Sequence, residues 1–230
     1  ITVSHFECNR IRETLHLPEN KIMAIYNGFS NHFQPLDNIE TVIQKYIPVT
    51  GYLFFLGNTD PKKNTPRTLK AYYSYLQQSK EKRPLLIADL KPEFVDEMLK
   101  ETGLENIRPY LYLLGYIPNT DLPFIYNGAF AFLYTSLRES FGIPLLEAMA
   151  CGIPVITSDT SSMPEIGGEG AILTDPTDER SIAAQLLLLE QDKEYYQKQS
   201  AYGLERAKCF SWEQTACELL KLYQSTVKSK

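Results

Sequence analysis

Several things are scarce in this 230-residue sequence, and each scarcity removes a class of function. The four cysteines, Cys8, Cys151, Cys209 and Cys217, lack the paired spacing of a zinc site, and in a chain this long they do not suggest a disulfide framework. They read as reduced thiols, which points to a cytoplasmic compartment. The three histidines, His5, His16 and His32, carry no metal-ligand spacing and read as surface or packing residues, so no metal site is expected. No apolar run approaches the roughly 20 residues of a membrane span. A basic excess is missing too: 23 Lys and Arg stand against 28 Asp and Glu, which argues against a nucleic-acid partner. A local phosphate pocket remains compatible with the net charge of −5. There is no internal repeat and no low-complexity tract. The chain opens on Ile1 rather than Met, from which a missing preceding portion is expected.

What is present is an alternation of short apolar runs and helical patterns. Runs suited to buried parallel strands fall at 52–56, 84–90, 110–114, 129–134 and 154–157, with a shorter one at 170–173. Helical patterns lie between them, and the alternation predicts an α/β fold with a doubly wound parallel sheet and right-handed crossovers. Thr65 is expected to cap the helix that follows Gly57 and runs to Gln78, and Thr120 or Asp121 the one ending near Asn127. Nearer the start, Ser4 and Glu7 form a capping box for a helix to Leu15, residues 22–26 read as a strand, and residues 39–46 as a weak helix. Near the end, Ser211 and Gln214 cap a last helix whose stripe is Trp212, Ala216, Leu219, Leu220 and Tyr223.

The organising stretch is residues 136–156, which reads as loop, helix and strand. Gly142 permits a tight turn, Pro144 suits a helix start because its missing N–H would be unpaired there, and Gly152 is placed to end the helix. Free N–H groups and the helix dipole at that start favour a phosphate or diphosphate. Glu139 lies before the helix and Glu147 about one turn inside it, so both can face one cleft. A carboxylate accepts from two hydroxyls at once, which suits vicinal sugar diols. Two carboxylates flanking a phosphate site suggest a nucleotide-sugar. Cys151 reads as a small packing residue rather than a nucleophile. A second ligand-facing segment follows the 52–56 run: Gly57, a loop bearing Lys62 and Lys63, then a helix. Its ammonium groups could neutralise a leaving diphosphate.

The phrase from Ser136 through Glu139, Phe141, Gly142, Pro144, Glu147, Ala148, Met149 and Ala150 to Gly152 resembles the donor motif of retaining glycosyltransferases of the family-4 (group 1) type. Two departures stand out: Ser140 where the family usually has Gly, and Asn58 where many members have Arg. The resemblance implies the Rossmann-like C-terminal half of a two-domain GT-B fold, for which 230 residues are too few to supply both halves. It divides the chain into residues 1–20, a remnant of the N-terminal domain and linker; 21–208, the nucleotide-sugar-binding domain; and 209–230, a crossover helix. It assigns Glu139 to hydroxyls of the transferred sugar, Glu147 to the ribose diol, and Lys63, assisted by Lys62, to the departing diphosphate. Gly57, Phe141, Gly142, Ile143 and Leu146 complete the donor-binding set, with Tyr116 and Ile117 against the base, largely through main-chain atoms.

The implied activity is transfer of a hexose, mannose among the candidates, from a GDP- or UDP-linked donor to a sugar or lipid-linked glycan hydroxyl, in bacterial polysaccharide or glycoconjugate synthesis. No cofactor beyond that donor is expected. The acceptor site would belong to the absent N-terminal domain, which could also bring the protein to the inner face of the membrane. Alternatives left open are a non-catalytic nucleotide-sugar-binding module, and another enzyme on the same fold such as a sugar-nucleotide epimerase.

Overall fold

The computed structural model describes residues 1–228; the last two residues of the expected 209–230 crossover helix lie outside the described residues. In chain order the helices and strands are α1 (His5–Leu15), α2 (Glu40–Ile43), β1 (Tyr52–Leu56), α3 (Thr65–Gln78), β2 (Leu85–Ala88), α4 (Pro92–Thr102), β3 (Leu111–Leu113), α5 (Leu122–Gly128), β4 (Ala129–Tyr134), α6 (Ile143–Ala150), β5 (Val155–Ser158), α7 (Met163–Gly167), β6 (Ile172–Thr174), α8 (Glu179–Gln191), α9 (Lys193–Ala207) and α10 (Trp212–Lys228). The strands form one sheet in the order β3-β2-β1-β4-β5-β6, and each neighbouring pair is parallel.

Both faces of this sheet are covered, which is why β1 to β4 are apolar at successive positions rather than at alternate ones. Leu53 and Phe55 of β1 point to the side of α3, α4 and α8, with Leu85, Leu133 and Ile156 beside them. Tyr52 and Phe54 point to the opposite side, where α5, α6 and α7 pack over Phe132, Tyr134 and Val155. The chain runs outward from β1 through β2 to β3, then returns to place β4 on the other flank of β1. The strand order reverses between β1 and β4, and at such a switch point the loops leaving the two carboxyl ends diverge and open a crevice. The expected doubly wound sheet is the one found.

Four local expectations need correction. Residues 22–26 form no strand; a single parallel bridge joins Ala24 to Thr2, because no sheet edge lies alongside to extend it. Thr65 does not cap α3: Asn64, at φ 61°, precedes the helix, and the Thr65 hydroxyl donates to the Asn58 carbonyl. Neither Thr120 nor Asp121 caps α5, since the Asp121 carboxylate is taken by the Tyr46 hydroxyl at 2.8 Å. Ser4 caps α1 as expected, but Glu7 turns to Arg10 instead of reaching back. Ser211 caps α10 as expected by accepting the Gln214 N–H, and Asp178 and Asp192 cap α8 and α9 in the same way.

Candidate functional site

The loops after β1 and β4 meet at the switch point. Asp60, Pro61 and the two lysines make a single tight turn ending at Asn64, whose left-handed backbone reverses the chain into α3. The Asn64 amide donates to the Thr135 carbonyl at 3.0 Å and to the Pro176 carbonyl at 2.7 Å, so one buried side chain fixes the lysine turn to the ends of two other loops. The backbone adds a further tie, Leu137 N–H to the Lys62 carbonyl at 2.7 Å.

Across this junction the Lys63 ammonium meets the Glu139 carboxylate at 2.6 Å, both side chains being less than one-fifth exposed. The Lys63 ammonium also stands 5.3 Å from the centre of the Tyr134 ring. Burial, then the carboxylates of Glu139 and Glu147, push the Tyr134 hydroxyl well above its ordinary pKa. Lys63, Glu139 and Tyr134 thus stand together at the junction. Glu139 is held from behind: its N–H donates to Ser161 Oγ at 3.1 Å, and the Ser162 hydroxyl donates to its carbonyl at 2.9 Å.

Gly142 begins α6 at φ 101°, a backbone that favours glycine, and a Cβ there would lie 2.6 Å from the end of the Met163 side chain, which would have to move. The N–H groups of Phe141, Gly142 and Ile143 have no partner among the described residues, whereas that of Leu145 turns back to the Gly142 carbonyl. Unpaired amides at a helix start favour an anion. Glu147 lies one turn further on with a different environment. Its only hydrogen bond among the described residues comes from the Tyr126 hydroxyl at 3.2 Å, and burial pushes its pKa up to about 7. Near neutral pH it is thus both acceptor and partial donor, a state suited to hydroxyl partners.

The other candidates divide by what they can offer. The Lys62 ammonium is half exposed and paired with Asp60 at 3.1 Å, so it reaches the junction only by leaving that carboxylate. Gly57 is required by packing, since a Cβ would lie 2.6 Å from Leu90 and 2.8 Å from Phe55. Phe141, Leu146 and Ile117 bury their side chains in the core, which leaves only backbone atoms to a ligand. Ile143 is partly buried against the same cluster, and Tyr116 is 76% exposed. Asn58, at the position where Arg was expected, closes its own loop by accepting the Asp60 N–H. Ser140 keeps a negative φ, so this backbone does not ask for glycine. Burial and Glu147 push the Cys151 thiol up to about 12, consistent with a packing residue.

Sequence reasoning passed over Tyr134, Tyr126 and Asn64. Tyr134 had one usable signal, its place as the last residue of the strand that feeds the motif. Glu165, in the first turn of α7, serves a helix far away in sequence: it accepts the N–H groups of His5 and Phe6.

With this geometry in view, comparison with known proteins is informative. The sequence pattern of the family described as glycosyl transferases group 1 matches residues 47–206. O-antigen chain mannosyltransferase B of Escherichia coli is 33% identical over 228 residues, a match covering 97% of this chain and 60% of that protein. Among solved structures, sucrose-phosphate synthase of Thermosynechococcus elongatus superposes with a TM-score of 0.81 at 22% identity, covering all of this chain and 58% of that one. Anabaena HepE in complex with UDP and glucose superposes with a TM-score of 0.82 at 20% identity, covering 97% and 62%. This chain therefore spans about three-fifths of each of these relatives. The likeness to the solved structures is one of fold, and the fold is the Rossmann-like half of the GT-B architecture. By the match of its sequence and the build of its sheet, the chain belongs to the group 1 glycosyl transferases.

Proposed function

We propose that this chain binds a nucleoside diphosphate-sugar at the switch point and, within a longer protein, serves transfer of the hexose to a glycan hydroxyl with retention of anomeric configuration. The observation that carries the reading is the Lys63–Glu139 pair across the junction of β1 and β4, beside the unpaired amides of Phe141, Gly142 and Ile143. Those groups match the charge of a diphosphate linking two hydroxyl-bearing rings. The diphosphate takes the Lys63 ammonium and the amides; hydroxyls of the sugar take Glu139; the ribose diol takes Glu147. Donor arrival thus exchanges an internal ion pair for two contacts with the ligand, and the departing diphosphate keeps a positive group beside it. Lys62 assists once it leaves Asp60. Main-chain atoms of the loop at Tyr116 and Ile117 meet the base.

Metal is unnecessary in this scheme, because lysine and peptide dipoles supply the positive charge. Mannose is the favoured hexose, since O-antigen mannosyltransferases are among the relatives. The acceptor, a sugar or lipid-linked glycan, is bound by a partner domain, onto which α10 crosses. The exposed Trp212, Leu220 and Tyr223 of α10 give that domain an apolar face to cover. No helix among the described residues is long and apolar enough to cross a membrane.

Calorimetric titration with GDP, UDP and their mannose and glucose conjugates tests the reading. Binding is expected for one base, and is expected to be lost in Lys63→Ala and weakened in Glu147→Ala. Equal affinity in parent and both variants sinks it.

A further inference from the structure

The family match covers residues 47–206, yet the outer side of the motif loop is gripped by residues beyond that span. Ser4 Oγ donates to the Ser140 carbonyl at 2.7 Å. The Glu7 carboxylate meets the Arg138 guanidinium at 3.5 Å and accepts the Ser140 hydroxyl at 3.4 Å. Phe141 packs its ring against Tyr26 and Phe210, each with centroids 5.9 Å away. Five contacts, made by Arg138, Ser140 and Phe141, therefore tie the loop beside Glu139 to the segments that precede and follow the sheet.

Beyond the Thr2–Ala24 bridge, the segment around Ser4 is fastened at the start of α1. The two carboxylate oxygens of Glu165 accept the N–H groups of His5 at 2.7 Å and Phe6 at 2.9 Å. These are first-turn amides of α1, which no residue of the helix itself can satisfy, and the positive end of the helix adds to the attraction. Glu165 is a fixed post, because Arg206 donates to its carbonyl at 2.6 Å and to that of Ile166 at 2.9 Å. Further along, α1 turns outward: Glu13, Thr14 and Leu15 are all exposed. Its attachment is concentrated at the end that touches the motif loop.

We propose that residues 1–8 form a strap that sets the position of the Arg138–Phe141 loop, and that Glu165 is the positioning residue that fastens it. The donor loop and the start of α1 then stabilise each other: docking α1 shapes the loop, and a ligand on the loop tightens α1. Residues 1–20 become a working part of the donor site rather than a passive remnant of another domain. The inference rests on the donor-site reading of the motif loop given above.

Calorimetry with GDP and UDP on the 230-residue chain, beside thermal melts and residue-resolved amide exchange, tests the strap. Glu165→Ala is expected to weaken nucleotide binding by about 5- to 10-fold and to speed exchange of the amides at Ser140–Ile143. Glu165→Gln, which keeps one acceptor oxygen, should fall between it and the parent. Ser4→Ala, which leaves Glu165 in place, should shift both readouts in the same direction. In the parent, bound nucleotide should slow exchange at His5 and Phe6. If the variants only speed exchange within α1, leaving affinity and the motif loop unchanged, Glu165 is a helix cap and the strap is overturned. If the parent binds neither nucleotide, the donor reading fails, and exchange at Ser140–Ile143 in the nucleotide-free variants still decides the strap.

Discussion

The two ends of the motif are held by opposite physics. Its loop end is pinned by polar contacts: Ser161 and Ser162 hold Glu139, Thr160 holds the Leu137 carbonyl, and Lys63 pairs with the Glu139 carboxylate. Its helix end is set by packing, with Leu145, Leu146, Ala148 and Met149 fully buried and Glu147 nearly alone among them. A pinned loop keeps a charged group ready in a defined place; a packed helix keeps a carboxylate partly protonated and in need of a partner. The contrast teaches that two glutamates in one phrase are held differently, one by an ion pair across a loop junction and one by the packing around its helix.

The largest expected effect comes from breaking the loop end. Lys63→Ala should weaken nucleoside diphosphate binding by about 100-fold, within the range for truncating one partner of a buried charge pair at a binding site. It should also lower stability by about 2 to 3 kcal/mol, because the mostly buried Glu139 is left without its counter-charge. Adding Glu139→Ala should recover part of the stability and none of the binding, a double-mutant cycle read by denaturation and calorimetry. Recovery of binding in the double variant would mean that the ammonium serves the fold alone.

At the helix end the expected signature is one of pH. Glu147 has a folded-state pKa of about 7 against an ordinary value of 4.5, so the folded protein holds this proton more tightly than the unfolded chain does. Stability should then fall as pH rises from about 4.5 to about 7, with the full cost present above that window and absent below it. Glu147→Gln removes the ionisation and keeps the bond from Tyr126. It should be more stable than the parent at pH 8, by up to about 3 kcal/mol, and indistinguishable from it at pH 4, as urea denaturation at the two pH values would show. A constant offset at both would place the effect in shape rather than charge.

Gly142 and Gly152 bracket the helix and sharpen the comparison. Both have positive φ, 101° and 77°, but an added methyl meets Met163 Cε at 2.6 Å at the first and nothing closer than Leu204 at 3.5 Å at the second. Gly152→Ala should cost about 1 kcal/mol, from backbone strain alone. Gly142→Ala should cost about 2 kcal/mol and should also weaken nucleotide binding, since it moves the unpaired amides. Equal costs with intact binding in both would show that the loop end is no more constrained than the helix end.

Much of this was legible in the sequence because it is local. The strand and helix alternation, the caps at Ser4 and Ser211, and the glycines at either end of α6 depend on near neighbours in the chain. What stayed hidden is long-range. Nothing near Glu165 announces that its partners are the amides of His5 and Phe6, and nothing near Lys63 announces that its ammonium crosses to Glu139. Residues 22–26 show the same limit from the other side: the apolar pattern is there, but a strand needs an edge to pair with, and only Thr2 is in reach.

The smallest expected effect tests whether Ser140 is a defect. At this position the family usually has glycine, which would be demanded if the backbone were left-handed, but Ser140 has a negative φ. Its link to the segment before the sheet is made by its carbonyl, which glycine keeps; the hydroxyl adds only the longer contact to Glu7. Ser140→Gly should therefore leave nucleotide affinity unchanged and lower stability by about 0.5 to 1 kcal/mol, the entropic cost of a glycine in an ordered segment. A clear gain in affinity would mean that the serine holds the loop away from its best geometry, and that the polar end of the motif is less finished than the packed one.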